Sequence, residues 1–331
     1  MKRIIQTIIA ISLPALSGFS QGTGGVFDFL TLPVSSRVEA LGGENVSLVE
    51  NDLSIVFHNP ASLIQEMDKD VHLGFQTYPG GIKTGSVAFA GALGDYNAWG
   101  VGVRYVDYGT MQGTTIDNVD NGTFSVKDMS VNGFFSRDLT ETWKGGVTAK
   151  VIYSAFETYT SLGLAVDLGL SYYDSDSEFS FGLTAKNLGR QLKAYHETLE
   201  PMPWDIQLGI SKRLAHAPLR VSVTGVHLKQ WQFKPLREGN VKEDAFFTSL
   251  FKHLVIGVDF LPSDNLWIAV GYNPKVAMDL NLEMGNKMGG FSMGAGLRVK
   301  AFNIGASVSR YHPSATSFHL NVTTSLGRTG L

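Results

Sequence analysis

Two neighbouring segments decide the fold, WKGGVTAKVIYS at 143–154 and LGLAVDLGLSY at 162–172. In the first, apolar side chains occupy nearly every second position from Trp143 to Tyr153, and the positions between them hold mostly Lys, Gly, Thr and Ser. The second segment repeats this pattern from Leu162 to Tyr172. Because successive side chains of a β-strand point to opposite faces, each segment predicts a strand with one apolar face and one small or charged face.

The same alternation recurs along the chain and predicts an all-β protein of about fourteen strands. The predicted strands lie near 70–78, 82–93, 98–108, 123–137, 143–155, 161–173, 178–188, 203–213, 218–229, 253–261, 266–273, 289–300, 302–311 and 316–326. Two architectures produce this pattern: a sandwich with its apolar faces inward, and a membrane barrel with its apolar faces toward lipid.

The lengths of the links favour the barrel. Links after even-numbered strands are short, at 94–97, 138–142, 174–177, 214–217, 262–265 and around Ala301. Several links after odd-numbered strands are long, at 109–122, 189–202, 230–252 and 274–288. Short turns at one end and long loops at the other are typical of a transmembrane antiparallel β-barrel, and an even strand count returns both termini to the periplasm.

The five tryptophans support a membrane environment. Trp99, Trp143 and Trp267 open strands after short links, whereas Trp204 and Trp231 lie beside long ones. Tryptophan concentrates where a membrane meets water, so these positions predict two interfacial girdles.

Composition excludes several classes of protein. The 331 residues include no cysteine, which excludes disulfide scaffolds, thiolate metal sites and cysteine nucleophiles. The net charge of −3 and the 17% of charged residues give no sign of a basic surface for nucleic acid.

The N-terminus predicts export. Lys2 and Arg3 precede an apolar run from Ile4 to Leu16, and the small residues Gly18 and Ser20 stand at positions −3 and −1 before Gln21. This is the pattern of a cleaved signal peptide over residues 1–20. A retained membrane anchor is the alternative, but the run is shorter than the roughly 20 residues that a spanning helix needs.

Residues 21–67 precede the first predicted strand and lack its alternation. A barrel of this size would enclose a sizeable lumen, because about 8 strands already fill theirs with side chains and 16 to 18 leave a channel. We therefore expect residues 21–67 to plug the lumen or its periplasmic mouth, and residues 68–331 to form the barrel. A detached, disordered tail is the alternative.

This N-terminal segment also carries a resemblance to a known family. GGVFDFLTLPVSSR at 24–37, ALGG at 40–43 and NPA at 59–61 resemble the N-terminal signature of the PorQ group of type IX secretion proteins, which is related to PorV and to the FadL-type channels. The matching positions are Phe27, Phe29, Leu32, Pro33, Arg37, Gly42, Gly43, Asn59 and Pro60. The chain departs from the group at Ser36, where many relatives carry alanine, and at its C-terminus, which ends in Leu331 and not in an aromatic residue.

The resemblance implies a FadL-like barrel of fourteen strands in the outer membrane of a Gram-negative bacterium. It implies a non-enzymatic component of the type IX attachment complex, without a cofactor, that anchors a PorZ-like surface protein and works with PorU and PorV-like components. The long link at 230–252 is the expected partner-binding loop, because it combines charges with aromatic side chains. These aromatic residues are Trp231, Phe233, Phe246, Phe247 and Phe251.

Two other functions stay open. A FadL-like channel for hydrophobic compounds would need an apolar pocket in the barrel and a gap or kink in its wall, and the small polar inward rows weigh against it. A PorV-like shuttle for secreted cargo would use the same exterior loops as an anchor.

Several short motifs carry no function. Ser249 and Lys252 fit S-x-x-K, but K-T-G at 83–85 lies upstream of it, the reverse of the order in penicillin-recognising enzymes. Ser292 fits G-x-S-x-G but lies within a predicted strand, so we expect a lumen-facing residue and no nucleophile.

The sequence predicts no catalytic or metal-binding residues. Asp174, Asp176 and Glu178 indicate an acidic turn, because Phe179 stands where a calcium loop needs glycine. Asp117, Asp120 and Asn121 are weak calcium candidates in an outer loop. The inward positions Lys144, Lys150, Asp167 and Lys186 are expected to form ion pairs across the lumen.

Overall fold

A computed structural model describes residues 25–114, 120–231, 246–284, 289–312 and 315–327. Its strands form a closed barrel in which each strand pairs with its neighbours along the chain, and the last strand pairs with the first. The predicted transmembrane antiparallel β-barrel of about fourteen strands is confirmed.

Fourteen strands occur among the described residues, and they lie close to the predicted ones. They are β1 (Asp70–Thr77), β2 (Lys83–Leu93), β3 (Asn97–Thr114), β4 (Asp120–Asp138), β5 (Trp143–Phe156), β6 (Tyr159–Asp174), β7 (Phe179–Lys193), β8 (Asp205–Arg213), β9 (Leu219–Gly225), β10 (Leu254–Ser263), β11 (Leu266–Tyr272), β12 (Phe291–Val299), β13 (Phe302–His312) and β14 (Ala315–Ser325).

The apolar rows point outward and the polar rows point inward. Val151 of β5 is 53% exposed and Leu164 of β6 is 45% exposed, whereas the inward Thr148 and Asp167 are each 1% exposed. A closed ring with an apolar outer surface pairs its backbone groups strand to strand, which is what hydrocarbon requires of a spanning sheet.

One predicted loop is largely strand. The link at 109–122 was expected to be a long loop, but β3 continues to Thr114 and β4 begins at Asp120. Residues 110–114 pair with 120–125 across two register shifts. A membrane strand needs about 9–11 residues, so this hairpin extends well beyond the thickness of a bilayer.

Short helices lie in several of the described segments outside the strands. They are α1 (Ser36–Ala40), α2 (Phe246–Lys252) and α3 (Pro274–Met284), with 3-10 turns at Asp28–Thr31, Leu53–Phe57, Pro60–Ser62, Gln65–Met67 and Pro79–Gly81. None of the helices in the described ranges is long and apolar enough to cross a bilayer.

The assignment of Trp267 to an interfacial girdle was wrong. This side chain is 6% exposed and packs inside the barrel, with the Arg37 guanidinium 5.1 Å from the centre of its ring. Its parity in β11 is that of the buried Ala269, whereas Ile268 and Val270 point outward. Position at a strand end suggested the girdle, but strand parity decides which way a side chain points.

Residues 25–67, here called the inner segment, lie against inward rows of the wall. Glycines in those rows admit its backbone, because a Cβ on Gly146 would overlap the peptide of Pro60. A Cβ on Gly182 would likewise overlap the carbonyl of Val46, and one on Gly271 the backbone at Gly42. The inward glycines are therefore needed for close approach of two backbones.

Replacing Gly146 with valine should force the inner segment away from β5. We expect a loss of about 1–3 kcal/mol in the free energy of unfolding, the usual cost of overpacking. The matched control is Gly133→Val on β4, where an added Cβ would meet nothing within 4 Å. Urea unfolding in detergent measures both, and equal stability of the two variants would contradict the contact.

Candidate functional site: the inner segment and the wall cavity

Local sequence shapes the inner segment. The Ser35 side chain caps α1 by accepting a hydrogen bond from the amide of Val38 at 3.4 Å. The helix ends at Ala40, and the turn after it contains Gly42 and Gly43, whose φ angles of 105° and 92° suit glycine. Asn59 caps the turn at Pro60–Ser62 and donates through Nδ2 to the carbonyl of Val46 at 2.8 Å.

The aromatic signature residues form an apolar cluster at one side of the lumen. Phe27 and Phe29 are 4% and 2% exposed and pack with Leu30, Ile152 and Met202. Two further signature residues extend the segment: Leu32 is half-buried against this cluster and Pro33 is buried.

Arg37 belongs to a network of four charged groups that joins the inner segment to the wall. Its Nε lies 3.2 Å from Asp259 of β10, and its Nη1 lies 3.5 Å from Glu50. Arg220 of β9 contacts the same two carboxylates at 3.0 and 2.6 Å. Two cations and two anions balance each other, which such groups need when they leave water.

Glu39 makes a second polar attachment. Its carboxylate accepts hydrogen bonds from the hydroxyls of Ser307 and Ser309 on β13, the first at 3.0 Å. The Nδ1–H of His319 on β14 donates to the same carboxylate at 2.8 Å. Glu39 is fully buried, so these donors replace its lost hydration.

A cavity of about 190 Å³ lies between the inner segment and the wall at β7 and β8. Asp28 and Glu44 border it from the inner segment, and Lys186, Asp205 and Gln207 border it from β7 and β8. Its apolar surface comes from the link before β8, at 201–204, which includes Met202 and Trp204.

The wall is irregular beside this cavity. The register between β6 and β7 shifts near Asp167, and Asn187 on β7 has a φ of 56°. This is a β-bulge, held by a 2.6 Å hydrogen bond from the amide of Asn187 to Asp167. The pairing of β7 with β8 ends at Lys186 and Asp205, although β7 continues to Lys193.

The predicted ion pairs form between neighbours and not across the lumen. Lys150 contacts Asp167 of the adjacent strand at 2.6 Å, and Lys144 contacts Asp138 of β4 at 2.6 Å. Lys186 pairs with Glu44 of the inner segment at 3.3 Å. Adjacent strands and the inner segment offer partners much closer than the opposite wall.

The described residues of the predicted partner-binding loop are largely exposed. Phe246, Phe247 and Phe251 of α2 are 62%, 71% and 48% exposed. Trp231 is 46% exposed and stacks on His253, with 5.2 Å between the centres of the two rings. Phe233 lies outside the described residues, so its place in this surface stays a prediction.

The remaining motif residues have ordinary roles. Ser292 faces inward, as expected, and donates to the carbonyl of Ala40 at 3.0 Å. Asp174 accepts from the amide of Asp176 within an acidic turn. Asp117 lies outside the described residues, as do the side chains of Asp120 and Asn121. Among the parts of the chain that the structure describes, no group of three His, Cys, Asp or Glu side chains could hold a metal ion.

Comparison with known proteins shows the fold. No protein-family model matches the chain, and no curated protein matches it. It is similar to the Pseudomonas putida toluene transporter TodX, with a TM-score of 0.53 and 11% identity over 91% of this chain and 98% of that one. A Pseudomonas aeruginosa FadL homologue gives a TM-score of 0.51 and 11% identity over 88% and 98%.

A TodX mutant described as a monoaromatic hydrocarbon channel gives a TM-score of 0.52 and 12% identity over 88% of this chain and 97% of that one. The chain therefore has the fold of FadL-type outer-membrane barrels. These three structures are named as a transporter, a channel and a FadL homologue, and none of the three names refers to type IX secretion.

The charged network should make the attachment of the inner segment sensitive to acid. Burial alone would raise the pKa of Glu50, but Arg37 and Arg220 lower it from 4.5 to about 2. A carboxylate with a lowered pKa contributes stability above its unfolded pKa and loses it as the pH falls. We therefore expect the urea concentration at the midpoint of unfolding to decrease as the pH is lowered from 4.5 to about 2.

The variant Glu50→Gln should lack this part of the pH dependence. The control Glu141→Gln changes an exposed residue in a short link and should keep the wild-type profile. An unchanged profile in Glu50→Gln would show that this network does not hold the inner segment.

Proposed function

We propose that this protein is an outer-membrane channel for small hydrophobic compounds. The observation that carries the proposal is the cavity beside the bulge in β7, where the pairing of β7 with β8 has ended. Support also comes from the fold that the chain shares with a toluene transporter and a monoaromatic hydrocarbon channel. A channel function agrees better with the names of these similar structures than does the anchoring of a type IX surface protein.

The cavity adjoins surfaces that suit an apolar compound. Met202 borders the cavity and also packs in the cluster that contains Phe27, Phe29 and Leu30. A compound that entered beside β7 would therefore meet apolar side chains on its way into the barrel. Burial of such a compound is favourable by roughly 25 cal/mol per Å² of apolar surface.

The inner segment would act as the gate. Many of its contacts with the wall are hydrogen bonds and ion pairs, such as those of Arg37 and Glu39. Water can take the place of such polar partners when the segment moves. Its apolar contacts, such as those of Leu41 in the cluster with Trp267, oppose the movement and favour the closed position.

An engineered disulfide tests the gate directly. The hydroxyls of Ser47 in the inner segment and Ser211 on β8 lie 2.7 Å apart, and the chain has no cysteine of its own. We expect the oxidised Ser47→Cys/Ser211→Cys protein to lose most toluene uptake, about tenfold or more, in vesicles or whole cells. Reduction should restore the uptake.

The single variant Ser211→Cys is the matched control and should transport like the wild type under both conditions. Uptake by the wild type no faster than by vesicles without protein would refute the channel. Normal uptake by the oxidised double variant would refute only the gate.

Anchoring of a surface protein is the second candidate function. It is favoured by the exposed aromatic surface of α2, formed by Phe246, Phe247 and Phe251. Exposed clusters of aromatic side chains are typical of protein interfaces.

Substitution of this surface distinguishes the two functions. If the protein is an anchor, Phe246→Ser/Phe247→Ser should reduce co-purification of a PorZ-like surface protein from native membranes by about tenfold. The control Tyr96→Ser removes an aromatic residue, 63% exposed, from a short link between β2 and β3. Equal recovery of that protein with both variants, or none with the wild type, would exclude anchoring through α2.

A further inference from the structure

Within the described part of the chain, two hydrogen-bond acceptors beside the wall cavity have no partner. They are Oδ1 of Asp205 and Oε1 of Gln207, both on β8, and both residues border the cavity. Asp205 is 8% exposed and Gln207 is 3% exposed. Buried acceptors normally have a donor, so two such atoms at one cavity indicate a missing hydrogen-bond donor.

The orientation of both groups is set by their other atoms. Oδ2 of Asp205 accepts from the amide of His227 at 2.9 Å and from Nε2 of Gln207 at 3.3 Å. Rotating the Gln207 amide would place its oxygen against the Asp205 carboxylate, acceptor against acceptor. The Gln207 oxygen therefore stays the unpartnered atom.

The charge around the cavity favours a cation. Glu44 is paired with Lys186 at 3.3 Å. The ammonium of Lys229 lies 5.3 Å from the centre of the Trp204 ring. It is the other cation among the described residues that border the cavity, and it interacts electrostatically with Asp205 and Asp28. Burial lowers the pKa of His227 to about 4, so this residue adds no charge near neutral pH. Asp28, Glu44 and Asp205 therefore outnumber Lys186 and Lys229 by one negative charge among the described residues that border the cavity.

Size and surface restrict the rest of the ligand. An apolar cavity of about 150 Å³ can hold benzene, so about 190 Å³ accommodates one ring with a short side chain. Met202 and Trp204 supply apolar surface for such a body.

We propose that the wall cavity binds small primary amines with an apolar body, the ammonium donating to Asp205 and Gln207. This inference deepens the proposed channel, since it names a substrate class for the cavity through which apolar compounds would pass. An ammonium supplies several donors and a positive charge together, whereas a hydroxyl supplies one donor and an anion supplies none.

Competition binding to the purified full-length protein in detergent tests the inference. Labelled 2-phenylethylamine is the probe, and 2-phenylethanol, 3-phenylpropionate and ethylbenzene are competitors with similar bodies. We expect the amine to bind at least tenfold tighter than ethylbenzene, and 3-phenylpropionate to bind most weakly. Asp205→Asn should reduce amine affinity about tenfold, and Gln207→Met should reduce it by a smaller factor.

The control Asp174→Asn removes an acidic side chain from an exposed turn and should leave amine binding unchanged. If Asp205→Asn does not fold, as judged by its mobility shift on heating, Gln207→Met carries the test. Equal affinity of the wild type for the amine and ethylbenzene, or an undiminished preference in the folded variants, would overturn the inference.

Toluene uptake separates this inference from the channel. Uptake of toluene without any amine preference would refute the amine site alone. Asp205-dependent amine binding without uptake of any apolar compound would refute the channel and keep the binding site.

Discussion

Pairing of backbone hydrogen-bonding groups is the constraint on which this structure depends. A sheet in hydrocarbon cannot leave an edge unpaired, so β14 returns to β1 and the ring closes. Closure gives each strand a lipid face and a lumen face. The alternation in the sequence then assigns apolar residues to lipid and small or charged residues to the interior.

The inward rows of the strands determine where the inner segment can lie inside the barrel. Glycines such as Gly146 and Gly182 allow the backbone of the inner segment to approach the strands. Charged and polar side chains then attach it, through the network of Arg37 with Asp259 and through Glu39 with β13 and β14. Small inward residues thus leave room inside the barrel for the N-terminal part of the chain.

The wall departs from regular pairing beside the cavity. A bulge at Asn187, the end of β7–β8 pairing and the link before β8 together leave space between the wall and the inner segment. Functional irregularities in barrels often occur at bulges because these redirect side chains and end a ladder. The proposed channel and the proposed amine site both depend on this part of the wall, but on different atoms of it.

Strand number, the direction of the apolar rows and most strand bounds followed from the sequence by itself, because side-chain alternation and turn positions are local properties. Two of these local predictions were wrong. Trp267 was placed at the membrane interface although its strand parity points it inward, and 109–122 was predicted as a loop although β3 and β4 pair there. The network around Arg37 was not visible, since Arg37 and Asp259 are 222 positions apart. Nor were the cavity and its unpartnered acceptors, because only closure of the barrel brings the inner segment, β7 and β8 together around one space.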